Sequence, residues 1–152
     1  MQIERWMKPA VLTVKPRDTA AHAREQMERS RVNQLPVVHD GKLLGIVTDR
    51  DLRDASPSVF DHRKTAASDP AQISVESVMT SNVLTLAPAD SMAAAASLMR
   101  RERIGAVPIV DRGLVVGIIT RSDVLDAFVA LSEMVEKAPG SRAGEGRGAL
   151  PT

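Results

Sequence analysis

The amino-acid sequence contains an internal repeat that covers most of its 152 residues. When residues 7–53 are placed beneath residues 79–125, at a constant offset of 72 positions and without a gap, 18 of the 47 pairs are identical. Such self-similarity means that one supersecondary unit occurs twice. Because a unit of this size buries too small a fraction of its surface to be stable alone, the two copies are expected to share a core.

Three strands are predicted in each copy. The first, at 10–14 and again at 82–86, is a run rich in β-branched residues that is followed closely by a proline. The second and third form a hairpin, because glycine-containing turns at 39–42 and 111–114 separate two apolar runs. Since these runs are apolar on both faces, each sheet should have helices on one side and the other copy on the other.

Two helices are predicted in each copy. In the second copy the first helix carries apolar residues at i, i+3, i+4 and i+7, which places them on one face, and the first copy matches this spacing except for Arg24 at i+4. Each of these helices is preceded by two candidate N-cap residues: Asp18 and Thr19 in one copy, Asp90 and Ser91 in the other. The predicted fold class is therefore α/β, with two β-α-β-β-α repeats packed as a pseudo-twofold pair.

The repeat also predicts the domain organisation. We assign residues 1–56 to the first repeat and residues 75–135 to the second. Residues 57–74, rich in serine, proline and charge, have the composition of a linker. Residues 136–152 are rich in glycine and polar residues and are expected to form a flexible tail.

Composition limits the classes of function that fit this chain. The formal net charge is +1 and aromatic residues make up 2%, so the sequence does not favour binding to nucleic acid. Cysteine is absent, which excludes disulfides and thiolate metal ligands. No run approaches the ~18 apolar residues that a membrane span requires. We therefore expect a cytoplasmic protein without a nucleic-acid or membrane partner.

Candidate catalytic groups are sparse. The three histidines, His22, His39 and His62, lack the short spacings that metal ligands usually have. Neither a nucleophile elbow nor a phosphate-binding P-loop motif occurs. We predict no catalytic residue, no metal site and no required cofactor, so that ligand binding without turnover is the expected activity.

A Thr-x-x-Asp motif begins the second predicted helix of each copy, as Thr48 with Asp51 and as Thr120 with Asp123. The free amides of a first helical turn attract phosphate, the threonine hydroxyl can donate a hydrogen bond, and Arg50 can add positive charge. The aspartate is suited to accept hydrogen bonds from the two ribose hydroxyls. The same spacing is also that of a capping box, which would only close the helix.

A glycine lies inside the last strand of each copy, at Gly45 and at Gly117. Glycine within a strand marks a bulge or the close approach of another group. The approaching group is either a bound ligand or the other copy packed tightly against the strand, and the sequence leaves both open.

These motifs together resemble a known family. The pattern Trp-Met-Lys or Val-Met-Thr, then a short strand, then Leu-Pro-Val-Val with Asp-Gly, then Gly-Ile-Val-Thr-Asp-Arg-Asp-Leu is similar to the cystathionine-β-synthase (CBS) domain. Two CBS domains in tandem resemble a Bateman module, and this pair is most similar to the CBS portion of acetoin-utilisation-type proteins. The resemblance covers residues 2 to about 130.

The resemblance implies ligand clefts between the copies, in which the opposite copy supplies most of the adenine pocket. The expected ligand is AMP, ADP, ATP or a related adenosyl compound, acting as a regulator. The residues implied for one cleft are Thr120, Ser122, Asp123, Met7, Leu12, Val32 and Asn33. Those implied for the other are Thr48, Arg50, Asp51, Met79, Leu84, Ile104 and Gly105.

The resemblance also implies a regulatory protein that acts through dimer or partner contacts. The last predicted helix is apolar at Val124, Leu125, Phe128 and Leu131, which exceeds what one small sheet can cover. We therefore expect a homodimer, together with a regulated protein that the sequence does not identify. The alternative is a structural dimerisation or scaffold protein whose clefts stay empty.

Overall fold

The computed structural model describes residues 1–9, 11–55 and 69–138. The first copy contains α1 (Ala20–Ser30), β1 (Gln34–His39), β2 (Lys42–Thr48) and α2 (Asp49–Ala55). The second copy contains α3 (Met92–Glu102), β3 (Ala106–Asp111), β4 (Leu114–Thr120) and α4 (Arg121–Lys137). The predicted α/β fold of two repeats is confirmed. Residues 56–68 and 139–152, which hold most of the predicted linker and tail, lie outside the described residues.

Each copy has a two-stranded antiparallel hairpin, as predicted from its turn residues. In the first hairpin His39 pairs with Lys42, which leaves Asp40 and Gly41 as a two-residue turn. Both turn residues have positive φ, 49° and 77°. This conformation matches the right-handed twist of the strands and favours glycine at its second position. The second hairpin has the same geometry.

The predicted first strand is wrong in its extent, because among the described residues of each run only one pairs. Val14 forms a parallel bridge with Val37, in which the Val14 amide donates to the Pro36 carbonyl and Val14 accepts from Val38. Continuing the ladder in either direction would need an amide hydrogen from Pro36 or from Pro16, and proline has none. Leu86 forms the same single bridge with Ile109 in the second copy, where Pro88 and Pro108 lack the amide hydrogens that further pairing would need.

The N-caps of α1 and α3 are the second of the two predicted candidates. The Thr19 hydroxyl accepts from the His22 amide at 3.1 Å, and Ser91 caps α3 in the same way. Asp18 instead accepts from the Lys15 amide at 2.7 Å and closes the preceding turn. The buried residues lie on the predicted apolar faces: Ala20, Ala23 and Met27 in α1, and Met92, Ala95 and Met99 in α3.

The two copies exchange their leading segments, which we call the N-terminal arm (residues 1–8) and the central arm (residues 73–80). Ile3, in a 3₁₀ turn, is fully buried in the core of the second copy. Val75, at the equivalent position, is fully buried in the core of the first copy. The Ile3 amide donates to the Asp90 carbonyl and the Val75 amide to the Asp18 carbonyl, so each arm also meets the residues before a helix of the other copy.

Each arm ends by pairing with a strand of the other copy. Lys8 exchanges two backbone hydrogen bonds with Ile118 of β4, at 3.0 and 3.2 Å. Thr80 does the same with Ile46 of β2, at 2.9 and 3.0 Å. These bridges hold the arms across the boundary between the copies, beside the start of the helix that follows each strand.

Candidate functional site

The Thr-x-x-Asp motif forms the same hydrogen-bonded arrangement at the start of α2 and of α4. The Thr48 amide and hydroxyl both donate to Asp51 Oδ2, each at 2.8 Å. The Asp51 amide donates back to Thr48 Oγ1 at 3.2 Å. At α4 the corresponding distances between Thr120 and Asp123 are 2.7, 2.6 and 3.4 Å. Both motifs are therefore capping boxes.

Capping uses only one oxygen of each aspartate. Oδ2 of Asp123 accepts both hydrogen bonds from Thr120, whereas Oδ1 lies 3.7 Å from the Lys8 ammonium. Asp123 is the buried charged residue of the described chain, with 6% of its surface exposed. A carboxylate fixed through one oxygen presents its second oxygen in a defined direction, so the cap does not prevent the aspartate from accepting hydrogen bonds from a ligand.

A cleft of about 530 Å³ lies between the copies beside the start of α4. This volume falls within the range of sites for small molecules. The second copy contributes Gly105, Ile118, Thr120, Arg121 and Ser122 to its lining. The first copy, with its arm, contributes Lys8, Val11, Leu12, Ser30, Arg31, Val32, Asn33, Gln34, Leu35 and Pro36. The cleft therefore depends on both copies.

Most residues predicted for this cleft meet there. Leu12, Val32 and Asn33 line it together with Thr120 and Ser122. Asp123 lies at the border of the cleft, since its Oδ1 is 3.7 Å from the ammonium of Lys8, which lines it. Met7 is not among the lining residues and instead packs on Gly117.

Sequence reasoning missed three basic residues of this cleft, Lys8, Arg31 and Arg121. Arg121 is the first residue of α4, and its amide and Nε donate to the carbonyls of Gly105 and Ile104, at 3.1 and 3.2 Å. Lys8 reaches the cleft only because the N-terminal arm crosses to β4. The repeat contained a signal for Lys8 and Arg121, since each aligns with an uncharged or acidic residue of the other copy, whereas Arg31 aligns with Arg103.

The residues predicted for the other cleft are placed more variably. Leu84 is 45% exposed, whereas Ile104 packs against the second-copy core. Gly105 lines the cleft beside Thr120. Arg50 is exposed at the start of α2, with its Nε 3.8 Å from Asp54. Thr48 and Asp51 are joined in the capping box, and Met79 lies against Gly45.

Gly45 and Gly117 permit the arms to approach. A Cβ at Gly117 would lie 2.6 Å from Met7 Sδ, and one at Gly45 would lie 2.6 Å from Met79 Sδ. Of the two explanations for a glycine inside the strand, tight packing against the other copy is the one observed. Met7 and Met79 therefore act as packing residues against these two strands.

Two other classes of site have no counterpart in the described part of the chain. No group of three or more His, Cys, Asp or Glu residues there is placed to hold a metal ion. None of the described helices combines the length and the apolar character needed to cross a bilayer.

Comparison with known proteins decides the family. A family model for the CBS domain matches residues 3–58 and 75–130, one match for each copy. The chain belongs to the CBS domain family. Both matches begin in an arm, which agrees with a CBS domain whose leading segment is part of its repeat unit.

Solved CBS pairs have the same fold. The AcuB protein from Vibrio cholerae is similar with a TM-score of 0.76 and 29% identity, over 91% of this chain and 98% of that one. CBSX2 from Arabidopsis thaliana, solved in complex with AMP, is similar with a TM-score of 0.74 and 27% identity, over 86% of this chain and 98% of that one. The CBS domain pair of protein MJ0100 was solved with 5′-methylthioadenosine and S-adenosyl-L-methionine. It is similar with a TM-score of 0.72 and 26% identity, over 86% of this chain and 98% of that one. The similarity to AcuB confirms the predicted resemblance to acetoin-utilisation-type proteins.

This CBS pair also has an exposed apolar surface on α4, which we call the α4 face. Val124 packs towards the second-copy core, but the rest of the predicted apolar residues point outward. Phe128 is 65% exposed and Met134 is 69% exposed. The α4 face consists of Leu125, Phe128, Val129, Leu131, Met134 and Val135.

Proposed function

We propose that this CBS pair is a regulatory module that binds an adenosine-containing ligand, an adenine nucleotide such as AMP, ADP or ATP or a related adenosyl compound, in the clefts between its copies. Binding, without catalytic turnover, then alters contacts with a second copy or with a regulated protein. The observation that carries the proposal is the cleft beside Thr120, which both copies build and which ends at the first turn of α4.

The lining of this cleft suits the three parts of a nucleotide. Leu12 and Val32 supply apolar surface for a base, and both are more than a third exposed at the cleft. The second oxygen of Asp123 is available for ribose hydroxyls. The first turn of α4, with the adjoining Ser122 and Arg121, suits a phosphate. The adenosyl ligands of CBSX2 and MJ0100 support this choice of ligand class.

Calorimetric titration tests the proposal from the ligand side. If Asp51 and Asp123 accept hydrogen bonds from ribose, adenosine nucleotides should bind at least about tenfold more tightly than their 2′,3′-dideoxy analogues, a difference of ~1.4 kcal/mol. Equal affinities for the two series would remove the aspartates from this role, and no binding of any adenosyl ligand would reject the proposed function.

The matched change in the protein is the double variant Asp51→Asn with Asp123→Asn. An amide oxygen can still accept the capping hydrogen bonds from threonine, so the melting temperature without ligand should change little. The lost charge should weaken the ribose contacts and remove most of the preference for the ribose form. A double variant with wild-type affinity and preference would contradict the assignment.

One observation favours a second candidate, a structural dimerisation or scaffold protein with empty clefts. The capping boxes are complete without any ligand, so Thr48, Asp51, Thr120 and Asp123 already have a structural role. This candidate predicts self-association through the α4 face with no response to nucleotides. Calorimetric titration with adenosine nucleotides separates the two functions.

A further inference from the structure

The repeat allows the lining of the cleft beside Thr120 to be compared, position by position, with the equivalent residues beside Thr48. The cleft beside Thr120 is lined by the basic residues Lys8, Arg31 and Arg121, and with Asp123 at its border the set has a formal charge of +2. The offset of 72 assigns an equivalent to every lining residue. Thr80 replaces Lys8 and Asp49 replaces Arg121, while Ser30 and Ser122 become Glu102 and Arg50. With Asp51 in the place of Asp123, the equivalent set holds three acidic and two basic residues and has a formal charge of −1.

The backbone places Lys8 and Thr80 in matching positions. Each makes its two-way bridge to the middle of the last strand of the other copy, Lys8 to Ile118 and Thr80 to Ile46. Lys8 is 63% exposed, and its ammonium lies 3.7 Å from Asp123. Because the lysine side chain is exposed and 3.7 Å is a long separation for an ion pair, the ammonium can turn to a phosphate bound at the first turn of α4.

The charges at the start of α2 are already paired within the helix. Asp49 Oδ2 lies 2.6 Å from Arg53, and Arg50 lies 3.8 Å from Asp54. The first residue of α2 is thus a carboxylate, where α4 has Arg121. A carboxylate paired in this way offers no hydrogen-bond donor to a phosphate that approaches the first turn, whereas an arginine at this position places a positive charge there.

We propose that the two clefts select different ligands: the cleft beside Thr120 takes a phosphorylated adenosine, and the cleft beside Thr48 favours an adenosyl compound without phosphate. This inference rests on the proposed function, since it divides one ligand class between two sites. Lys8 is the specificity-determining residue, because it brings positive charge from the opposite copy to the phosphate end of one cleft only.

Titration with AMP and with adenosine, followed by the backbone amide NMR signals of Ser122 and Arg50, reports on the two clefts separately. AMP should bind more tightly than adenosine beside Thr120, and adenosine at least as tightly as AMP beside Thr48. Lys8→Thr, which installs the residue of the other copy, should weaken AMP beside Thr120 by about fivefold to tenfold and change adenosine by less than about twofold. Raising the salt concentration should weaken AMP binding in the wild type more than in the variant.

Two further variants complete the test. Thr80→Lys should strengthen AMP beside Thr48, because the backbone bridge to Ile46 does not involve its side chain. Lys42→Thr makes the same change of charge in an exposed hairpin residue outside the cleft lining and should leave both ligands unaffected. If AMP and adenosine bind but their ratio is equal in the two clefts, or is unchanged in Lys8→Thr, the selectivity is rejected and the proposed function stands. If neither ligand binds the wild type, the proposed function itself fails.

Discussion

The arms approach the opposite copy closely at Gly45 and at Gly117, and the backbone of the arm comes closer at Gly45. A Cβ at Gly45 would lie 2.7 Å from the carbonyl oxygen of Thr80, whereas one at Gly117 would lie 3.2 Å from that of Lys8. The methionine sulfur at each site can move, but a backbone oxygen held in a bridge cannot move easily. Gly45→Ala should therefore destabilise the protein by about 1 to 3 kcal/mol, and Gly117→Ala by less. Denaturant unfolding measures both.

Gly105→Ala is the control for this comparison. A Cβ added at Gly105 would have Gln34 Nε2 as its nearest neighbour, at 3.8 Å, which is an ordinary contact. This change should therefore be neutral or slightly stabilising. Equal losses at Gly45 and Gly105 would show that chain flexibility, and not the approach of the arm, sets the cost.

For single residues, the sequence predicted which positions have a structural or functional role better than it predicted which groups contact them. The repeat identified Gly45, Gly117 and the Thr-x-x-Asp motifs from their positions alone. It left open whether a ligand or the other copy approaches the glycines, because a local pattern does not specify a partner that is distant in the chain. Lys8 was missed for the same reason, since only the crossing of the arm brings it to Asp123.

Among the elements, the arms stabilise the copy to which they cross. Ile3 is fully buried beside α3 and α4, so Ile3→Ala should create a cavity and cost about 2 to 5 kcal/mol. Thermal or denaturant unfolding measures the loss. Glu4→Ala removes an exposed side chain of the same arm and should cost much less. A small effect of Ile3→Ala would mean that the arm is dispensable for the second-copy core.

Helices and hairpins were predicted well because their signals are local. Capping residues, turn glycines and apolar spacing lie within a few residues of the elements they define. The first strand was overestimated because its pairing depends on Pro36, which stands more than 20 positions after Val14 and lacks the amide that a longer ladder needs. The crossing of the arms has no local signal at all.

For the whole molecule, the α4 face predicts self-association. Phe128 lies near the middle of this surface, and an aspartate there would place a charge in an apolar interface. Sedimentation should show a dimer for the wild type and a shift towards monomer for Phe128→Asp. Leu114→Asp changes a partly exposed leucine on the second hairpin and should leave the dimer intact. A wild-type monomer at high micromolar concentration would contradict the prediction.

The exchange of arms also makes the two halves of the chain mutually dependent. Residues 1–55 contain Ile3, which fills the core of the other half, and lack Val75, which fills their own. A break in the polypeptide between residues 55 and 69 would therefore leave two fragments that complete one another by complementation, although neither could close its core alone. Such a molecule would behave as a heterodimer of two fragments, and the cleft beside Thr120 would exist only where the two fragments meet.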